Sequence, residues 1–508
     1  MPRGFLVFAL CLPLAVLLGF MLSDPLMGKN MMIVSGAIFV LLIPLMLRIH
    51  HRALIWCAFA YVMVFFIPGQ PHLWMVLAAL SFTISVLSRP LAKVKARPVW
   101  DPLVMGSLVF IALLALFTAR ETGGIGMRVL GSGNQGGRKY VFIFAAIIGC
   151  FALTMQRLPR ARAHKDIAAY LLAPITAAVG NVAYALGPKF YFLFLLFPVE
   201  WVISQAAADY DVTGGLKRLA GFGPLSTAIS TYCLMKWGLR GILQIRKTHR
   251  LFLLLIAIGL GMFSGFRSTV AIFALVTLFQ FFAEGLYRTR YAAGALAVMI
   301  ASFTFVAVFA ESLPLAVQRT ISFLPVRVDP MAAADAKASI EWRLEMWKTV
   351  SKEIPKYFWI GKGYSVDPTD LYLAEESMRR GFASGYDFSI EAGDYHSGPL
   401  SVIIPFGIFG VLGFLAFCIA SLRVLWKNMR YSDPDIKNIN TFFFAYFAGR
   451  LLFFLLFFGS LESDLWLFTS VVGISLTLNG GVKVRSEKPR LKFEQRSARE
   501  REAEPALI

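Results

Sequence analysis

His396 and three arginines are the residues of this 508-residue chain whose types and positions could do chemistry. His396 stands directly before an apolar run over 398–422. A helix starting there would turn its free N–H groups and the positive end of its dipole toward His396. That favours a neutral imidazole, the form that acts as a general base; the plain alternative is a solvated loop histidine. Arg267 lies in Gly265-Phe266-Arg267-Ser268, between two hydrophobic runs. A guanidinium at that depth is costly unless it is paired or functional, and its fork of donors suits phosphate oxygens. The competing reading is a snorkelling side chain. Arg343 opens Arg343-Leu344-Glu345-Met346-Trp347, and Arg218 follows Lys217 in the polar stretch 208–224. Arg343 alone is unremarkable, and ordinary loop charge explains Arg218 as well as an anion contact does.

Other motifs lead nowhere catalytic. Gly361-Lys362-Gly363 lacks the strand and the remaining glycines of a nucleotide fingerprint. Asp367, Asp370, Glu375 and Glu376 have no metal-ligand pattern and read as a solvated helix face. Cys11, Cys57, Cys150, Cys233 and Cys418 lie in or beside hydrophobic runs, with neither metal spacing nor a disulfide framework. No metal or cofactor is expected.

The elements that must hold these residues are transmembrane helices. The chain is 57% hydrophobic with 46 Phe, above the usual apolar share of about 45–50%. The excess falls into runs of about 17–22 residues, enough to cross about 30 Å of hydrocarbon. Such segments must be helical, because lipid leaves backbone groups no partner but each other. Spans are expected near 5–22, 31–47, 53–67, 72–88, 101–119, 140–156 and within 168–187, with an interfacial or re-entrant helix over 190–207. Further spans are expected at 225–243, 251–266, 268–286, 291–310, 398–422, 439–458 and 463–479, about fourteen in all, with ends uncertain by about 2–4 residues. The fold class is therefore all-α and integral to a membrane, with one large, partly helical loop.

The net charge of +20 sits mostly in short basic clusters between apolar runs, which are topology signals rather than a nucleic-acid surface. Arg48 with Arg52, Arg89 with Lys93, Lys95 and Arg97, Arg157 with Arg160, and Arg423 with Lys427 all fall on one side if the span count is even. Both termini are then cytoplasmic. The parts are N-terminal helices over 1–207, central helices over 208–310, the external loop 311–397, C-terminal helices over 398–480, and a charged tail over 481–508, expected to be disordered. The Gly-rich stretch 120–139, with Arg120, Arg128, Arg138 and Lys139, is external as well and carries possible anion contacts. Within the loop, Ile340, Trp342, Met346, Trp347 and Val350 follow a helical spacing, and its tryptophans favour folded structure over a linker.

In that order, the features resemble the O-antigen ligase and polymerase superfamily of bacterial envelope glycosyltransferases. The matching stretches are Ser264-Gly265-Phe266-Arg267-Ser268, Arg343 to Trp347, Gly361-Lys362-Gly363, and His396-Ser397 leading into Phe406-Gly407-Ile408-Phe409-Gly410, within roughly residues 215–425. The resemblance implies a GT-C-like, metal-independent transferase of the bacterial inner membrane with its loop in the periplasm. Its donor would be a glycan on undecaprenyl pyrophosphate. Its acceptor would be a hydroxyl of another glycan, of lipid A–core or of a protein. It also implies that Arg267 and Arg343 hold the pyrophosphate, with Arg218 as a third cation, and that His396 is the base. Pro405 stands where ligase-like members often carry an acid, and Ser397 replaces a frequent Asn, so the acceptor type stays open. The alternative is a transporter or flippase of lipid-linked glycans. It would be expected to show repeated halves and ionisable groups at mid-span, and the sequence shows no clear repeat.

Overall fold

The computed structural model describes residues 28–67, 69–90, 98–126, 135–200, 218–382 and 386–485, with isolated positions within 12–19 and 202–206. The expected span near 5–22, Lys93, Lys95, Arg97, Arg128, Lys217 and the tail from 486 onward lie outside the described residues. Among those described, every regular element is a helix, beside two isolated bridges.

The N-terminal helices are α1 (Gly28–Cys57), α2 (Leu73–Ser88), α3 (Pro102–Glu121), α4 (Gly137–Thr154), α5 (Ala163–Leu172) and α6 (Ala178–Leu186). The central ones are α7 (Phe222–Ile242), α8 (Thr248–Phe263), α9 (Arg267–Ala283) and α10 (Tyr291–Phe309). The loop carries α11 (Leu315–Ile321), α12 (Pro330–Ser351), α13 (Ile354–Tyr357), α14 (Pro368–Arg379) and α15 (Asp387–Glu391). Last come α16 (Gly398–Arg430), α17 (Lys437–Leu456) and α18 (Leu461–Asn479).

Among the described residues, seven helices are long and apolar enough to cross a membrane: Pro102–Glu121, Gly137–Thr154, Arg160–Leu186, Tyr291–Ser312, Gly398–Arg430, Pro434–Leu456 and Leu461–Asn479. Leu73–Ser88, Thr248–Phe263 and Arg267–Ala283 are shorter apolar helices. The count stands below the expected fourteen. One expected span is corrected outright. The apolar run 53–67 is not a helix, because α1 stops at Cys57 and turns follow. Tertiary bonds take the backbone groups a continuing helix would need: Trp466 donates to the Ala58 carbonyl at 2.6 Å, and the Met63 N–H donates to the Leu196 carbonyl at 2.7 Å. The stretch after Gly187 opens with a 3-10 helix over Pro188–Leu195.

The core lies where α18 packs on α4 and α16 on α3. Phe417, Phe442, Phe443, Phe447, Phe454 and Phe468 are fully buried there. Trp74 and Trp466 stack at 4.5 Å between centroids. Gly149 makes room for that pair, since a Cβ there would lie 2.3 Å from the Trp466 ring.

The loop is folded and carries its own small core. Met346 and Val350 of α12 pack with Ile390, Tyr395 and Ile404, flanked by Trp342 and Trp347. The expected α12 pattern holds at Met346 and Val350, whereas Ile340 is exposed; Ala332 and Ala336 complete the buried face. The loop docks onto α16 at a break. Pro405 has no N–H and Gly407 leaves helical geometry at φ 61°, which frees backbone groups that must find partners elsewhere. Lys362 N–H donates to the Ile404 carbonyl at 2.7 Å and Gly363 N–H to the Pro405 carbonyl at 3.0 Å, while the Ile408 N–H donates to Phe358 at 2.7 Å. The Gly-x-Gly stretch is thus a strap that repairs a broken helix. A Cβ on Gly361 would lie 2.2 Å from the Pro405 oxygen.

Candidate functional site

The loop brings Arg218 and Arg267 onto the second turn of α12, the helix that carries Arg343 about two turns further on. Asp329 caps that helix by accepting the Met331 N–H at 2.8 Å, and Pro330 occupies its first turn, an arrangement suited to a helix start. Asp335, Ala336 and Arg343 follow along it. Arg267 is the first residue of α9, after a turn in which Gly265 adopts φ 73°. Its guanidinium reaches across to donate to the Ala336 carbonyl at 3.2 Å. Arg218, just before α7, donates to both Asp335 carboxylate oxygens at 3.1 Å.

Two residues that sequence reasoning missed complete the cluster. Arg319 of α11 is only 5% exposed. It donates to the Gly265 carbonyl at 2.6 Å and pairs through Nε with Asp335. Asp335 therefore joins two arginines, and Arg319 ties the Arg267 turn to α12. Arg218, Arg267 and Arg319 thus gather about one carboxylate, with Arg343 of the same helix close enough to act electrostatically on Arg267. Burial, reinforced by the charge of Arg319, pushes the Arg218 and Arg343 guanidiniums below their ordinary range, with Asp335 opposing this at Arg218. They remain cations at neutral pH, and their surplus charge is an electrostatic demand for an anion. The available signal was a lone arginine in the apolar stretch 313–321, and an acid two helical turns before Arg343.

His396 lies at the loop's exit against two aromatic rings. Its ring stacks on Phe458 at 5.3 Å and 29°, and Trp342 lies 5.4 Å away at 54°. Phe458, in the short link between α17 and α18, was also missed, because nothing separates it from its neighbours Phe453, Phe454 and Phe457 in sequence. Arg343 sits 5.6 Å over the same Phe458 ring, so one phenyl group joins the cation cluster to the histidine. His396 has φ 48°, which is uncommon for a residue with a side chain. Nδ1 is buried without a hydrogen-bond partner and lies 3.7 Å from the Asp394 carboxylate. The side chain as a whole is 26% exposed.

Burial is the main reason the His396 pKa falls below 6.5. Asp394 and Glu462 oppose the shift, while Arg343 and Lys139 add to it. The neutral state expected from a helix end is thus favoured chiefly by aromatic burial. Lys139, one of the external basic residues, is committed to structure: Nζ donates to the carbonyls of Ala392 at 2.8 Å and Gly393 at 2.6 Å, and lies 3.6 Å from Glu462. It fixes the turn that leads to His396. Asp367 caps α14 by accepting the Thr369 N–H, and Glu376 pairs with Arg379 and Arg380. Among the described residues no group of three or more His, Cys, Asp or Glu side chains is placed to hold a metal ion.

The arrangement combines a concentrated positive site with a neutral imidazole nearby. It can bind a dianionic or more highly charged group and accept a proton beside it. No curated protein matches the chain. Residues 251–415 match the family model described as O-antigen ligase. That stretch holds Arg267, Arg319, Asp335, Arg343 and His396, while Arg218 and Phe458 lie outside it. The matched stretch thus supports a place for residues 251–415 among O-antigen ligase domains, the superfamily that the motif order resembles.

Proposed function

We propose that this protein transfers a glycan from undecaprenyl pyrophosphate to a hydroxyl of an acceptor glycan, lipid A–core or protein, on the periplasmic face of the bacterial inner membrane. The observation that carries this reading is the gathering of Arg218, Arg267 and Arg319 at Asp335 and Ala336, on the same helix whose Arg343 lies over the Phe458 ring that stacks on His396. The acceptor oxygen attacks the anomeric carbon and the bond from that carbon to the pyrophosphate oxygen breaks. The acceptor proton passes to Nε2 of His396, and undecaprenyl pyrophosphate leaves with the bonding electrons. A single displacement inverts the anomeric centre.

Each group has a physical task. Negative charge develops on the leaving pyrophosphate, and Arg267 and Arg343 meet it with charge-assisted hydrogen bonds, without a metal. His396 is kept neutral by its aromatic neighbours and so is ready to take a proton. Asp394, facing Nδ1, favours the tautomer that leaves the Nε2 lone pair free. The polyprenyl tail lies in lipid against the apolar helices.

The test is transfer by purified protein, given an undecaprenyl-pyrophosphate glycan and candidate acceptors. His396→Ala, Arg267→Ala and Arg343→Ala are each expected to abolish most of the product. Full transfer by all three would remove the proposed site.

A further inference from the structure

Asp335 poses a problem for a site that must receive an anion. Its carboxylate accepts from both Arg218 and Arg319, and Arg267 donates to the carbonyl of the next residue, Ala336. It would repel an incoming pyrophosphate and already occupies the donors that the pyrophosphate needs. The two pairings differ in kind. Arg319 is buried, belongs to a helix, and is anchored a second time on the Gly265 carbonyl. Arg218 belongs to no helix, is about a quarter exposed, and has Asp335 as its hydrogen-bonded acid. Its stem lies across Gly265, where a Cβ would meet Arg218 Cγ at 3.1 Å.

We propose that Asp335 is a built-in counter-anion, which a diphosphate displaces from Arg218 while Arg319 keeps it neutralised. This rests on the donor reading above and adds a role for Asp335 and Arg319. Without a bound donor, Arg218 is parked on Asp335, so the buried cations are not all left unpaired, a state that would be costly. When the diphosphate arrives, Arg218 swings from the carboxylate to a phosphate oxygen. Asp335 retains Arg319, so no unpaired charge is left behind. The exchange trades one charge-assisted pair for another. A weak monoanion does not repay the loss of a bidentate carboxylate, whereas a diphosphate does. Asp335 is in this way a specificity-determining residue for highly charged donors.

The experiment measures binding of inorganic pyrophosphate and of orthophosphate to the full-length protein in nanodiscs, by calorimetry at fixed low salt. Asp335→Asn keeps the shape and an acceptor oxygen but removes the competing charge. It is expected to bind pyrophosphate about tenfold tighter than the parent protein and to tighten orthophosphate by more, so that discrimination between the two falls. In Arg218→Gln the same Asp335→Asn change is expected to lose most of its effect on pyrophosphate. Equal or weaker pyrophosphate binding by Asp335→Asn, with Arg218 present, would overturn the proposal and make Asp335 a structural strut. Asp335→Ser carries the same expectation should the Asn variant fail to give monodisperse protein. Arg267→Ala and Arg343→Ala separate the two readings. If they leave pyrophosphate binding unchanged, the donor site itself is misplaced; if they weaken it while Asp335→Asn fails to tighten it, the exchange alone is wrong.

Discussion

His396 stacks on Phe458, with ring centroids 5.3 Å apart and planes 29° from parallel. The other end of this contact is chemical as well as steric, because Arg343 lies 5.6 Å over the same phenyl ring. Phe458 comes from the link between α17 and α18, far from both partners in sequence. The start of α18 is tied to α16 by the Leu461 N–H donating to Ser401 Oγ at 2.9 Å. A change in this link therefore acts on the histidine and the arginine together.

Phe458→Ala is expected to remove the stack, worth about 0.5–1.5 kcal/mol, and to let water reach the imidazole. Transfer should fall by roughly tenfold, and Phe458→Tyr should restore most of it by keeping the ring. The pH profile separates this from simple loss of structure. Since burial is the first cause of the lowered His396 pKa, exposing the ring should move the acid limb of kcat/KM up toward 6.5. An unmoved limb would mean that Phe458 does not shield the base.

The pH dependence expected of the parent protein under the proposed mechanism follows from the sign of the His396 shift. In the proposed mechanism protonation of His396 removes the base, and its pKa is lowered from 6.5 by burial. Activity should therefore be retained as pH falls from neutral through 6.5, then be lost as it passes through the lowered value. Asp394 raises the pKa and Arg343 lowers it. Asp394→Asn should accordingly displace the acid limb further down, and Arg343→Gln should displace it up. Limbs moving in the opposite senses would exclude His396 as the titrating group.

Arg267 drew notice in the sequence as a cation in a turn between apolar runs, and His396 by its place before a helix; Arg343 is unremarkable alone and was legible only through the motif order of the resemblance. Arg319 and Asp335 were not, because their importance arises only when α11 and α12 fold back onto the Gly265 turn. The same holds for 53–67. Its composition is that of a span, but bonds from Trp466 and to Leu196 claim its backbone. Local pattern identified the helices that cross the bundle, and contacts between distant segments decided the rest.

Arginine geometry gives a second kinetic prediction. In the proposed mechanism Arg267→Ala and Arg343→Ala each remove donors aimed at developing charge, and losses of about 10²–10³ in kcat are typical for such groups. Lysine keeps the charge but cannot present two parallel N–H donors. If the fork matters, Arg267→Lys and Arg343→Lys should stay well below the parent rate, with the deficit in kcat more than in KM. Full rescue by lysine would reduce these residues to general electrostatic attraction.

The strap between the loop and α16 makes a prediction about stability rather than chemistry. Gly361 has φ 91° and faces the Pro405 oxygen, which a Cβ would approach to 2.2 Å. Gly361→Ala must therefore push the strap off the break in α16. That movement costs the bonds from Lys362 to Ile404 and from Gly363 to Pro405, and leaves unsatisfied the carbonyls that Pro405 and Gly407 freed. Overpacking alone costs about 1–3 kcal/mol, and each orphaned buried carbonyl adds about 1–3 kcal/mol. The variant should melt several degrees lower in detergent, with faster proteolysis of the loop. Lys362→Ala should be much milder, because its backbone bond remains and only the 3.3 Å pair with Glu391 is lost. Equal melting of Gly361→Ala and the parent protein would show that the loop does not depend on the helix break for its anchorage.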